Sequence, residues 1–115
     1  MLCPLRIRLI GMKPQHRNAL RHLSLYAELG QQIIYCQVLP KSTEELTVML
    51  PAGSFDLYTL FLMGRVTYRQ GITVVLPGMP GAVLDMSTAR VDTVSAELPH
   101  ERARKQQERG FGDAE

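Results

Sequence analysis

Two loops of this chain combine glycines with exposed backbone amides, a combination that can bind anions. Gly53 and Ser54 follow one Leu-Pro pair, and Gly78 and Gly81 follow another. Backbone N–H groups attract phosphate or carboxylate groups, above all where a helix begins. Neither a Walker-type lysine nor the three-glycine dinucleotide pattern accompanies these loops, and most such turns only cap a helix. The four residues are therefore a candidate anion-binding loop edge, at residues 51–54 and 77–81.

Basic residues are concentrated in the first quarter of the chain and form a second candidate site. Residues 1–30 carry five basic side chains and one acidic side chain. Such a cluster can hold the phosphates of a nucleic acid, although the aromatic residues that single-strand binders place among the charges are missing. A solvated helix face and a protected edge strand explain the same pattern, and the sequence favours this interpretation. The candidate basic surface comprises Arg6, Arg8, Lys13, Arg17 and Arg21.

The remaining reactive residues do not form a catalytic or metal site by their spacing. His16 and His22 would face different directions on one helix, and Cys3 and Cys36 belong to different predicted strands. No Gly-x-Ser-x-Gly frame surrounds Ser54. Two cysteines are too few for a disulfide framework. The sequence therefore predicts no catalytic residue, no metal and no cofactor.

Three prolines mark the strands that would position these residues. Pro40, Pro51 and Pro77 each end a short apolar run. Because proline cannot donate to a strand ladder, we expect three strands to end at a common rim of one sheet. Ligands usually bind at that edge in open α/β sheets. Apolar alternation predicts strands over residues 5–12, 33–39, 46–50 and 72–76, with a weaker strand at 82–84.

Two helices complete the predicted architecture. Residues 14–29 have proline in the first turn, an apolar stripe and Gly30 as a stop. Residues 54–70 have Ser54 as an N-cap and Gly71 as a stop, but a two-residue period over residues 57–63 fits a strand almost as well. The prediction is a small three-layer-like α/β domain with a mixed, mostly parallel sheet. The alternative is an α+β domain with a hairpin at 57–76 against the same first helix.

The predicted domain covers residues 1–98, and the polar residues 99–115 are predicted to be a flexible tail. Its core is expected to rest mainly on aliphatic side chains, because tryptophan is absent. The expected core residues are Ile7, Leu9, Leu20, Leu23, Tyr26, Ile34, Cys36, Val48, Leu50, Leu60, Val74 and Leu76.

The order strand, helix, strand, strand, helix, strand resembles the receiver domain of response regulators. That family's chemistry needs an acidic pair after the first strand, an aspartate after the third and a serine or threonine after the fourth. This chain has Gly11-Met12-Lys13, Leu50-Pro51 and Leu76-Pro77 at those places. The resemblance therefore implies a receiver-shaped domain without phosphorelay residues.

We expect a non-enzymatic interaction or regulatory module that binds a protein partner or a second copy of itself. One alternative is a nucleic-acid-associated accessory protein that uses the basic surface. Another is a nucleotide or phosphometabolite binder at the glycine loop edge. Residues 1–9 lack a signal-peptide pattern, and residues 57–64 fall short of the roughly 20 apolar residues that a membrane span needs. The expected location is the cytoplasm.

Overall fold

The computed structural model describes residues 1–92 and consists mainly of β-strands. Strands make up 67% of these residues and helical turns 10%, so the α/β prediction is wrong. The predicted tail at 99–115 and the end of the predicted 1–98 domain lie outside the described residues. The elements are β1 (Leu2–Ile10), α1 (Pro14–Ala19), β2 (Leu20–Leu29), β3 (Gln32–Val38), β4 (Glu45–Pro51), β5 (Gly53–Met63), β6 (Val66–Leu76), β7 (Gly81–Asp85), a 3₁₀ turn (Met86–Thr88) and β8 (Arg90–Val91).

The strands form two sheets. The three-stranded sheet has the order β4-β1-β7, and the five-stranded sheet has the order β3-β2-β5-β6-β8. Within the described residues, only β1 and β7 pair in parallel. The predicted sheet was mostly parallel and flanked by helices, as in a receiver domain, and neither feature is present here.

The core lies between the two sheets, and in the three-stranded sheet more buried and more exposed residues alternate along each strand. In β1, Leu5, Ile7 and Leu9 are buried while the arginines between them are exposed. They pack with apolar side chains of the five-stranded sheet, such as Leu25 and Leu57. Every residue of the predicted core is buried except two: Ile34 is half-buried and Cys36 is exposed.

The predicted helix at residues 14–29 is wrong after its first six residues. Pro14 does begin α1, but the chain becomes β2 at Leu20. Residues 23–27 are all buried, so both faces of this central strand are covered. A run that is apolar on both faces matches a helical stripe as readily as a strand. Gly30, expected to end a helix, lies in the β2–β3 turn with φ of 63°.

The predicted helix at residues 54–70 is also wrong. This segment and the residues after it form the β5–β6 hairpin, closed by a two-residue turn at Gly64-Arg65. The glycine has φ of 63°, and no non-glycine residue among those described has a positive φ. Glycine at the first turn position is typical of a type II′ hairpin, whose twist matches that of the strands. The alternative prediction included a hairpin here. Its α+β class is wrong, because it also required the helix predicted at residues 14–29.

The proposed common rim of proline-terminated strands does not exist. Gly53, two residues after Pro51, pairs with the residue that precedes Pro77. Pro40 follows Leu39, whose amide donates to the carbonyl oxygen of Leu23, the cross-strand partner of Phe61. Phe61 lies eight residues along β5 from Gly53, a separation of about 26 Å at the rise of a β-strand. Two prolines therefore share one end of the molecule, and the third lies at the other.

Candidate functional site

Gly53 and Gly78 lie at one end of the five-stranded sheet, whereas Gly81 begins β7 beside the middle of β1. The helix on which their anion-binding role depended is replaced by β5. Gly53 and Ser54 begin β5, and Gly81 begins β7 opposite Arg6. Gly78 follows β6, two residues beyond the partner of Gly53. Gly53 and Gly78 have φ of 148° and 134°, so glycine is required at both for conformational reasons. Because β5 replaces the helix, no helix terminus directs amides outward at Ser54.

The five residues of the candidate basic surface serve different purposes. Arg6 and Arg8 lie on the outer face of the three-stranded sheet, and Lys13 precedes α1. Arg17 Nη1 donates to the carbonyl oxygens of residues 41 and 43, both at 3.1 Å. Arg21 Nη1 donates to the carbonyl oxygen of residue 64 at 2.9 Å. The last two arginines therefore tie loops to the sandwich.

Acidic residues balance the charge on the outer face of the three-stranded sheet. Arg6 Nη2 lies 2.9 Å from Glu45 Oε1. This hydrogen-bonded pairing lowers the pKa of the Glu45 carboxyl and raises the pKa of the Arg6 guanidinium. Arg8 and Arg17 line a groove of about 430 Å³ together with Glu44 and Glu45. Among the described residues, two of the five basic side chains are therefore paired with carboxylates, Arg6 with Glu45 and Arg17 with Glu44 at 3.9 Å.

An exposed apolar patch adjoins these charges, and the sequence reasoning missed it. Leu2 pairs with Pro51, and Pro4 pairs with Met49, so four apolar residues form a two-by-two block on the outer face. All four are exposed. The sequence could have predicted part of this patch. Because Val48 and Leu50 were expected in the core, Met49 between them must point to the outer face. We call Leu2, Pro4, Met49 and Pro51 the apolar patch.

A second groove, of about 670 Å³, lies along β6 and β8 on the five-stranded sheet. Arg69 and Arg90 are direct cross-strand partners here. The Arg69 guanidinium carbon lies 3.7 Å from the centroid of the Tyr58 ring, a cation–π contact. The sequence analysis missed this site, since residues 54–70 were assigned to a helix. The remaining lining residues are Asp56, Leu57, Gln70, Gly71, Ile72, Thr73, Thr88, Val91 and Asp92.

The histidines and cysteines are kept apart. The His22 ring hydrogen-bonds to the Ser24 hydroxyl. Cys3 is buried, whereas Cys36 is exposed. Within residues 1–92, no group of three or more potential ligands could hold a metal ion, and no helix has the length and apolar character to cross a membrane. Comparisons of the chain with protein-family models, curated proteins and solved structures gave no match.

Proposed function

We propose that this protein is a non-enzymatic binding module that docks a partner protein on the outer face of its three-stranded sheet. The observation that carries the proposal is the apolar patch. Leu2 is 58% exposed and Met49 is 49% exposed. Single exposed apolar residues are ordinary, but a contiguous block of them is typical of an interaction surface.

The residues around the patch suit a protein interface. Arg6 and Arg8 follow it along β1, on the same face. Interfaces are enriched in methionine and arginine, with apolar residues at the centre and polar residues at the rim. Arg6 is bridged to Glu45, while Arg8 forms no ion pair within the described part of the chain. We therefore expect the partner to offer an apolar surface with a carboxylate beside it, placed to meet Arg8.

A photocrosslinking amino acid at position 49 tests this proposal in cells. We expect a discrete adduct from the full-length chain, because position 49 would lie inside the interface. Leu2→Lys, which charges the neighbouring side of the patch, should abolish the adduct. Val75→Lys is the matched control, since Val75 is also 49% exposed but lies on the five-stranded sheet.

The mass of the adduct separates self-association from binding to another protein. The proposal is contradicted if position 49 gives no discrete adduct, or if the adduct survives Leu2→Lys. It is also contradicted if Val75→Lys abolishes the adduct equally well.

A second candidate function is binding of a phosphorylated small molecule in the groove along β6 and β8. It is favoured by the direct opposition of Arg69 and Arg90. Like charges at directly opposite positions destabilise a sheet, and a bound anion would relieve this cost.

Thermal unfolding with inorganic phosphate and with nucleoside phosphates tests this second function. Binding to the folded state stabilises it by RT ln(1 + L/Kd), where L is the free ligand concentration, so the unfolding midpoint rises with the logarithm of L once L exceeds Kd. We expect Arg90→Ala to remove that rise and Arg65→Ala, in the β5–β6 turn, to retain it. An unchanged midpoint with every ligand, or an equal response from both variants, contradicts binding at this groove.

A further inference from the structure

Strand β3 forms an open edge of the five-stranded sheet. Among residues 1–92 its only neighbouring strand is β2, and its seven residues, Gln32–Val38, include no charged residue, proline or glycine. Proteins usually protect such an edge, because its outward backbone groups can pair with another chain. The other described edge strands carry these protections: β4 begins at Glu45 and ends at Pro51, β7 is short and ends at Asp85, and β8 has two residues. Strand β3 is therefore the edge best suited to pairing.

The pairing of β3 with β2 determines which backbone groups of this edge point outward. The Leu39 amide donates to the Leu23 carbonyl oxygen at 2.9 Å, and the pairing stays regular from Val38 to Tyr35. In an antiparallel pair, residues that bond to the neighbouring strand alternate with residues whose N–H and C=O groups point away from it. Val38 and Cys36 therefore direct both backbone groups toward the open edge. Their side chains are exposed as well.

We propose that β3 pairs with β3 of a second copy of this chain, antiparallel and about a two-fold axis at Gln37. In this register Cys36 of each copy lies opposite Val38 of the other, and all outward backbone groups of these two residues bond across the axis. A two-fold contact uses the same strand on both copies, so it closes as a dimer. It also joins the two five-stranded sheets into one continuous sheet.

The residue types of β3 favour a second copy as the occupant of this edge. Like charges at directly opposite positions destabilise a sheet, and an uncharged strand avoids this cost when it meets itself. Gln37 is exposed, and its amide can both donate to and accept from an identical amide across the axis. The Tyr35 hydroxyl donates to Gln37 Oε1, which leaves the amide nitrogen of Gln37 to donate to the second copy.

The length of the regular edge limits the strength of this dimer. The register with β2 shifts between Ala27 and Glu28, whose partners are Tyr35 and Ile33. A register shift of this kind bends the strand, so the regular edge ends at Tyr35. Small interfaces are typical of weak complexes. We therefore expect a dimer that dissociates on dilution.

Sedimentation velocity of the full-length chain over a range of concentrations measures this association. We expect a monomer–dimer equilibrium that Gln37→Lys weakens by about tenfold or more, because two like charges then face each other across the axis. Gln37→Glu should weaken it in the same way, and an equimolar mixture of the two variants should restore it as a heterodimer. Gln32→Lys is the matched control, since Gln32 is also an exposed glutamine of β3 but lies beyond the register shift.

Several results of this experiment would overturn the proposal. A chain that stays monomeric at every concentration does so, and so does equal weakening by Gln37→Lys and Gln32→Lys. A mixture that fails to restore the dimer contradicts the two-fold axis at Gln37. A dimer that survives Gln37→Lys lies at another surface, such as the apolar patch, and oligomers larger than a dimer show open-ended assembly. Both contradict closed pairing through β3.

Disulfide formation across the axis tests the register itself. Directly opposite residues that are not hydrogen-bonded to each other have Cα atoms about 4.5 Å apart, within the range that a disulfide needs. In a chain that also carries Cys36→Ser, Gln37→Cys should therefore form a disulfide-linked dimer under mild oxidation, and Gln32→Cys should not. Equal dimer yields from these two variants would overturn the proposed pairing.

Discussion

Gly71 is the residue whose substitution tests the described packing of β5 against β6 most directly. A Cβ atom added there would lie 2.6 Å from Tyr58 Cβ and 2.9 Å from the Leu57 carbonyl oxygen. Ordinary van der Waals contacts of a Cβ atom begin near 3.4 Å, so the added Cβ of Gly71→Ala would lie roughly 0.8 Å too close to Tyr58 Cβ. Backbone atoms of β5 set part of this limit, and a change of side-chain rotamer cannot relieve it.

We expect Gly71→Ala to lower the free energy of unfolding. Overpacking that forces a backbone shift costs about 1–3 kcal/mol. Replacing glycine with alanine also lowers the conformational entropy of the unfolded chain, which stabilises the folded state by about 0.4–1 kcal/mol. The middle of the two ranges gives a net loss of about 1.3 kcal/mol, and their extremes give at most about 2.6 kcal/mol. A loss of about 1.3 kcal/mol lowers the thermal midpoint of a domain of this size by roughly 5–10 °C.

Urea unfolding followed by far-ultraviolet circular dichroism measures this loss. Gly81→Ala is the control, because Gly81 also lies in a strand but its added Cβ would approach only the Arg6 carbonyl oxygen, at 3.3 Å. We expect a smaller loss from this control. The reasoning is refuted if Gly71→Ala is as stable as the unsubstituted chain, or if the two variants lose the same amount.

Three further predictions follow from individual contacts. In the folded chain, Cys36 should react with a disulfide reagent and Cys3 should not, because Cys36 is exposed and Cys3 is buried. Burial raises the pKa of the Cys36 thiol. Its reaction should therefore need a higher pH than that of a thiol in an unstructured peptide. Arg6 lowers the pKa of the Glu45 carboxyl. The pair therefore stabilises the fold at pH values above the unfolded-state pKa of Glu45, and this effect is lost as the pH falls through the folded-state pKa. Arg6→Gln should raise the pKa of Glu45 measured by carbon NMR, and an unchanged value would contradict the pairing. Arg17→Ala should reduce the free energy of unfolding by about 1–2 kcal/mol, because two loop carbonyls lose a charged donor; equal urea midpoints would show that the loop is held by other contacts.

Several strands were predictable because their patterns leave only one arrangement. The alternation of Leu5, Ile7 and Leu9 with arginines gives one buried and one exposed face, and this prediction is confirmed. The shorter runs that became β3, β4 and β7 were also located to within about two residues, within the usual uncertainty of element boundaries. The burial of Val48 and Leu50 follows from the same alternation.

The sequence could not exclude the two predicted helices. Residues 23–27 and 57–61 are buried on both faces of the sheet, so they lack the apolar–polar alternation that distinguishes a strand from a helix. Ser24 appears polar and exposed on a helical wheel, yet it is fully buried in β2. Gly30 and Gly71 were both expected to end helices, but Gly30 lies in the β2–β3 turn and Gly71 lies inside β6 opposite Tyr58. A glycine fits a helix stop, a turn or a strand position, and only the pairing of the strands decides between them.

The candidate sites depended on those same assignments. The groove at Arg69 and Arg90 joins residues 21 positions apart and exists only because β8 pairs with β6. The apolar patch likewise needs the register of β1 with β4. Long-range register is not encoded in local periodicity, so a single sequence reveals the strands more readily than the surfaces that they build together.

The position of β1 in the three-stranded sheet has a consequence for biosynthesis. This strand is synthesised before the other described strands, yet its two neighbours are β4 and β7, which are completed only at residues 51 and 85. The adjacent hairpins β2–β3 and β5–β6 need no such delay and close through local turns. Because non-local pairing carries the larger loop-closure cost, the nascent chain must keep Leu5 and Ile7 unburied until these later strands have left the ribosome.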